Sequence, residues 1–173
     1  MCSSDLSRYS YRRRPGEPQL SIAELRLRME TPPTYEAERA SVVRLLRTLQ
    51  AAGVELVLQQ PIKRGAAAEW DPARRSLRIG PTVPEKGSLD FARVLNHEAI
   101  HMAQSCRGGG LRAAPVPLGL RRQLSGTPML ELQSDLYAKA SPLERVLEQE
   151  AYANQDDLSL GDQLVRRHCR LTG

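Results

Sequence analysis

The chain contains few aromatic residues, few histidines and few cysteines. Aromatic side chains make up 4% of its 173 residues, so its core must be built from leucine, valine, isoleucine and alanine. No apolar run approaches the roughly 20 residues of a membrane-spanning helix, which argues against a membrane-spanning protein. Cys2, Cys106 and Cys169 form no Cys-x-x-Cys pair, and their odd number favours reduced thiols over a disulfide framework or a zinc knuckle.

The length predicts one domain with a core of its own, preceded by a tail. Residues 1–19 are polar and basic and contain proline and glycine, a composition typical of a disordered arm. Residues 20–173 are expected to form the single folded domain. Because the first residues also lack the apolar stretch of a secretory signal, we expect a cytoplasmic protein.

The net charge is +5, and its basic residues are clustered. Arginines group in the arm at 12–14, in the segment 107–122 and at the end of the chain at 166–170. Such clusters attract nucleic acid and other anions. Charge runs are more often solvated surfaces, so we favour a role in solubility and keep nucleic-acid binding through the arm as an alternative.

Hydrophobic periodicity and turn chemistry predict a mostly helical α+β protein with a short three-stranded sheet. Helices are expected over residues 35–52, 127–138 and 158–172, and strands over 54–58, 66–70 and 76–79. Ser76–Gly80 is our candidate for an edge strand that could hold an extended peptide, with an edge that merely meets solvent as the alternative.

Residues 97–101, His-Glu-Ala-Ile-His, are the segment that indicates a chemistry. They lie in a stretch with helical periodicity whose apolar stripe ends at a glycine triplet, Gly108–Gly110. Residues four apart share one face of a helix, so His97 and His101 can bind one metal ion. Glu98 then lies where its carboxylate can reach a metal-bound water and act as a general base.

This pattern resembles the active-site helix of the zincin superfamily of zinc metallopeptidases. The extension typical of metzincins would need glycine and histidine where this chain has Gln104 and Arg107. The resemblance is therefore to the gluzincin branch, whose third zinc ligand is a glutamate on a later helix.

Glu150 is our predicted third ligand. Ser141, Pro142 and Glu144 form a capping box that opens a helix, which gives Glu144 a structural role. On that helix Glu150 lies on the apolar side and Glu148 points away from it. The segment Glu150–Ala153 resembles the Glu-x-x-Ala of gluzincins, although Asn154 stands where the thermolysin type has an acid. Pairing of Glu150 with an arginine is the alternative role, and His168 is the rival ligand.

The resemblance implies one Zn²⁺ per chain, a peptide or protein substrate, and Glu98 as the catalytic base. Tyr137 is the predicted donor to the developing oxyanion, ahead of Tyr152, which should face elsewhere. Asn96 and Asn154 are candidates to orient a ligand, against ordinary capping or surface roles. The alternatives to a metallopeptidase are a non-catalytic zinc-binding protein and a nucleic-acid-associated protease recruited by its basic arm.

Overall fold

The computed structural model describes residues 21–23, 26, 35–84 and 88–172. It divides the chain into two compact units, residues 1–33 and 34–173. In the first unit, Ile22, Ala23 and Arg26 are helical. The predicted arm over residues 1–19, which includes Cys2, lies outside the described residues.

The second unit is an α+β structure, as predicted. Helix α1 (Glu36–Ala51) is followed by strands β1 (Glu55–Leu58), β2 (Ala68–Asp71) and β3 (Ser76–Ile79), helix α2 (Ser88–Arg107), helix α3 (Thr127–Leu132), a 3-10 turn (Asp135–Tyr137), helix α4 (Pro142–Asn154) and helix α5 (Leu160–His168). Within the described ranges, no helix is both long enough and apolar enough to cross a membrane.

The sheet has the order β1-β3-β2, with β1 parallel and β2 antiparallel to β3. The prediction that Ser76–Gly80 forms an edge strand is therefore wrong, because β3 is the central strand. Its burial explains this position, since Leu77 is fully buried and Ile79 nearly so. The outer strands are β1 and β2.

Helix α2 lies in the middle of the unit and contacts α1, β2, α4 and α5. Its predicted apolar stripe is confirmed: Leu95, Ala99, Met102 and Cys106 are buried in the main core, and Phe91 packs against that core. The helix ends at Arg107, before the glycine triplet. A Cβ on Gly108 would lie 2.1 Å from the carbonyl oxygen of Ala114, so the following loop requires a glycine there.

Two predictions for the second half of the chain are corrected. The helix expected over 127–138 is interrupted after Leu132, where Ser134 and Asp135 favour turn conformations over a helix interior. Cys106 and Cys169 are not reduced thiols but form a disulfide across 63 residues. Their pairing follows from the packing of α5 on α2, which brings the ends of the two helices together in the core.

Candidate metal site

The two histidines of the motif face each other on one side of α2. The distance between His97 Nε2 and His101 Nε2 is 3.1 Å, as the i, i+4 spacing on a helix allows. Both side chains are largely covered, with 10% of His97 and 17% of His101 exposed. The helix therefore directs two nitrogen donors at one recessed point.

A carboxylate from α4 completes the group. Glu148 Oε2 lies 3.3 Å from His97 Nε2 and 3.4 Å from His101 Nε2. Ligands about 2.0–2.1 Å from a tetrahedral ion are separated from one another by about 3.4 Å. The three donors have nearly that spacing, so His97, His101 and Glu148 can hold a metal ion.

The structure corrects the predicted third ligand, because Glu150 does not reach this group. One Glu150 oxygen accepts hydrogen bonds from the backbone N–H groups of Gly119 and Leu120, at 2.7 and 3.0 Å. The other accepts from the Leu118 N–H at 2.7 Å and from Gln104 Nε2 at 3.1 Å. Glu150 is buried as predicted, but among the described residues its partners are a loop backbone and an amide, and no arginine.

Glu148 takes the place predicted for Glu150 because the buried face of α4 is wide enough to include both acids. Glu148 and Glu150 are both buried, at 9% and 1% exposure, on either side of the fully buried Ala151. Helical periodicity puts Leu147 and Glu150 on one apolar stripe and leaves Glu148 outside it, which is why the prediction has Glu148 pointing away. The small residue Ala151 is the better indication of which side of α4 is buried. It lies one turn from Glu148, at a place where α4 packs closely on its neighbours.

The tautomers of the two histidines are set by amide oxygens behind them. Gln104 Oε1 lies 2.8 Å from His101 Nδ1, and Gln155 Oε1 lies 3.3 Å from His97 Nδ1. An amide oxygen only accepts, so each Nδ1 is the nitrogen that keeps a proton, and each Nε2 is the nitrogen that would bind a cation at the centre. Such second partners also fix the orientation of the rings.

Glu150 contributes to the site through Gln104. The amide nitrogen of Gln104 donates to the Leu147 carbonyl and to Glu150, at 3.1 Å in both cases. Two acceptors on that side fix the amide, which leaves its oxygen facing His101. Glu150 is thus a positioning residue for His101 and an anchor for residues 118–120, a role that no local sequence pattern indicates.

Electrostatics favour positive charge where the three donors meet. Burial lowers the pKa of His101, but the charge and hydrogen bond of Glu148, with the charge of Glu98, outweigh burial and raise it to about 9. Burial raises the pKa of Glu148, but the two imidazoles beside it hold the pKa well below its usual range. A cation at this point would meet a carboxylate that is ready to bind it.

Glu98 is held next to the group by the sheet. Its Oε2 accepts a hydrogen bond of 2.9 Å from the backbone N–H of Trp70 in β2, and the Trp70 indole donates to Ser105 Oγ at 3.1 Å. Burial raises the pKa of Glu98, and the charges of His97 and His101 only partly counter that effect. A raised pKa suits a carboxylate that must accept a proton and later return it.

Two tyrosines surround the carboxylate of Glu148. Tyr137 Oη lies 3.1 Å from Glu148 Oε2 and 3.1 Å from Tyr152 Oη. Burial, followed by the charge of Glu148, raises the pKa of Tyr137, so its hydroxyl stays protonated and donates to Glu148. Tyr152 does not face elsewhere as predicted, since its ring packs on His97 with centroids 4.5 Å apart. It lies one helical turn after Glu148, which explains its position.

Three other predicted residues lie away from the centre. Asn96 is fully buried and joins α2 to α5, because its Oδ1 accepts from the Gly161 N–H at 2.7 Å. Asn154 Nδ2 donates to the Arg121 carbonyl at 2.8 Å, so it holds the loop and orients no ligand. His168 is outside the metal-binding group, and burial, with the nearby Arg167 and Arg107, lowers its pKa.

Comparison with protein-family models, with curated proteins and with solved structures found no match to this chain.

Proposed function

We propose that the protein is a zinc metallopeptidase in which His97, His101 and Glu148 hold the metal. The observation that carries this proposal is the position of Glu98, a buried carboxylate beside three metal donors that is not itself one of them. A purely structural site has no use for such a base, whereas hydrolysis needs one. Two imidazoles and one carboxylate also match the ligands of catalytic zinc and leave one position open.

A zinc ion bound here would lower the pKa of a bound water to about 7 and polarise a substrate carbonyl. Glu98 then accepts the proton of the attacking water and delivers it to the leaving amine. The Trp70 N–H holds the carboxylate of Glu98 in place through this cycle. Tyr137 orients Glu148 through its hydroxyl, so its role in this proposal is to position a ligand and not to donate to the oxyanion.

An extended peptide is the substrate that the surroundings favour. β2 is an outer strand, and its Trp70 contacts the catalytic base, so β2 replaces β3 as the strand beside the site. The Trp70 N–H on the free side of β2 binds Glu98, so a peptide in β-conformation would pair with the other backbone groups on that side.

The test combines metal analysis with hydrolysis of a mixed peptide library, followed by mass spectrometry. Wild-type protein reconstituted with zinc should hold about one ion per chain and cleave peptides. Glu98→Gln should keep the metal and lose activity by roughly 10²–10⁴-fold, because only the base is removed. Glu148→Gln should lose most of the metal.

Glu144→Gln is the matched control for Glu148→Gln, because it removes one half-exposed acid from the first turn of the same helix, where Glu144 pairs with Lys63 and not with a histidine. It should keep both metal and activity. Absence of bound zinc in the wild type would refute the proposal. Zinc binding without peptide cleavage would instead support the alternative of a non-catalytic zinc-binding protein. Cleavage that is unchanged in Glu98→Gln would support it too, because that cleavage would not depend on Glu98.

A further inference from the structure

A second feature lies on the surface formed by α1 and α5. There an open depression of about 570 Å³ is lined by four arginines, Arg39, Arg44, Arg47 and Arg166, with Ala40 and Val43 between them. We call it the arginine depression. None of its residues takes part in the metal site.

The surface around the depression carries an excess of positive charge. The sequence contains no acidic residue between Arg39 and Val54, and none after Asp162. Asp162 is buried beneath the depression, where it balances part of the charge. In the part of the chain that the structure describes, Arg39 and Arg47 have no side-chain partner, so two guanidinium groups are available to an anion.

The remaining two arginines are held in place. Arg166 Nε lies 3.2 and 3.1 Å from the two oxygens of Asp162, and its Nη2 donates to Thr48 Oγ1 at 2.7 Å. Arg44 Nε lies 3.8 Å from the same carboxylate. Thr48 also donates to Asp162, so a buried polar pair fixes the bottom of the depression. Preorganised guanidinium groups are suited to phosphate oxygens.

The shape favours a polymer over a single small anion. Arg39 and Arg47 are eight residues apart on α1, a distance of about 12 Å along the helix axis, so the charges form a row. The side chains of Arg44 and Arg166 are 46% and 52% exposed, so the depression is open to solvent. The exposed apolar surface between them is limited to Val43 and Ala40, which is too little to insert into a lipid bilayer.

We propose that the arginine depression binds the phosphodiester backbone of a nucleic acid. This site is distinct from the basic arm of residues 1–19 and does not depend on the metal site. Binding should be insensitive to base sequence and should weaken steeply with salt, because each phosphate contact releases counterions.

The test measures fluorescence anisotropy of labelled single-stranded DNA and RNA oligonucleotides with the full-length protein over a series of salt concentrations. Three double variants each remove two positive charges. Arg39→Gln/Arg47→Gln changes the depression, Arg12→Gln/Arg13→Gln changes the arm, and Arg112→Gln/Arg122→Gln is the control on an exposed loop. Circular dichroism confirms that each variant is folded.

The depression variant should bind roughly tenfold more weakly, with a salt slope reduced by about 1.4 for two lost contacts to a single strand. The loop control should bind like the wild type. No binding by the wild type, an equal loss in all three variants, or a loss confined to the arm variant would overturn the proposal. The proposal would also be overturned if the depression variant bound oligonucleotides like the wild type but lost binding to anionic vesicles.

Discussion

At the scale of single residues, two acids on α4 separated by one position have different roles. Glu148 faces the two histidines, whereas Glu150 accepts four hydrogen bonds from a loop and from Gln104. A carboxylate satisfied by three backbone N–H groups is committed to structure. The distinction can be measured, because removal of each acid should affect a different property.

We expect Glu150→Gln to destabilise the fold without abolishing metal binding. The amide can accept through one oxygen only, so its NH₂ group would face at least one backbone N–H of residues 118–120. An unsatisfied buried donor costs about 1–3 kcal/mol, which urea denaturation can measure. Zinc should still bind at about one per chain at saturation. Loss of zinc with unchanged stability would instead restore Glu150 as a ligand.

Tyr137→Phe should weaken metal binding by about tenfold, because the hydroxyl that orients Glu148 is lost. Competition with a zinc chelator gives this affinity. Tyr35→Phe, at an exposed position, is the control. The sequence-based prediction was that Tyr137 donates to the oxyanion. That role would lower kcat while leaving zinc affinity unchanged, so the two measurements separate the roles.

At the scale of elements, α2 carries most of the site and depends on close packing against α5. A Cβ on Gly161 would lie 2.5 Å from Asn96 Oδ1 and 2.9 Å from Ala99 Cβ. Asn96 precedes the motif directly, so the place where α5 touches α2 is also the place where the face that carries His97 and His101 begins. The two helices cannot separate here without disturbing both.

Gly161→Ala should therefore destabilise the protein by about 1–3 kcal/mol, although alanine is the better helix former. The added methyl group would push α5 away from α2 or displace the Asn96 amide, which accepts from the Gly161 N–H. Urea denaturation measures the change, with Gln163→Ala at an exposed position of α5 as the control. A stabilised Gly161→Ala variant would show that α5 does not contact α2 closely at Gly161.

At the scale of the whole molecule, the disulfide joins the end of α2 to the segment after α5. Its loop of 63 residues is long, and closing such a loop restricts the unfolded chain. The chain-entropy relation gives about 4 kcal/mol of stabilisation for that length. Disulfides are rare in the reducing cytosol. The structure predicts that Cys106 and Cys169 are oxidised, whereas the cytoplasmic location expected from the sequence predicts that they are reduced.

We expect protein extracted with thiols trapped to show one reactive cysteine, Cys2, out of the three in the chain. Mass spectrometry after alkylation gives this count. Reduction should lower the free energy of unfolding by about 2–5 kcal/mol, and Cys2→Ser should leave it unchanged. Three alkylated cysteines in protein from the native compartment would contradict the disulfide and agree with a cytoplasmic location.

The sequence alone determined the elements of local origin. The helix of residues 88–107, the Ser141 cap of α4 and the facing pair His97 and His101 depend on spacing along one chain segment, where helical geometry leaves little freedom. The α+β class and the approximate strand positions followed from the same local patterns.

Tertiary structure decided everything that depends on which surfaces meet. The central place of β3, the disulfide and the choice of Glu148 over Glu150 could not be read from periodicity, because each depends on contacts between distant segments. Both acids of α4 are buried, and only the tertiary packing determines that Glu148 meets the histidines while Glu150 meets residues 118–120 and Gln104.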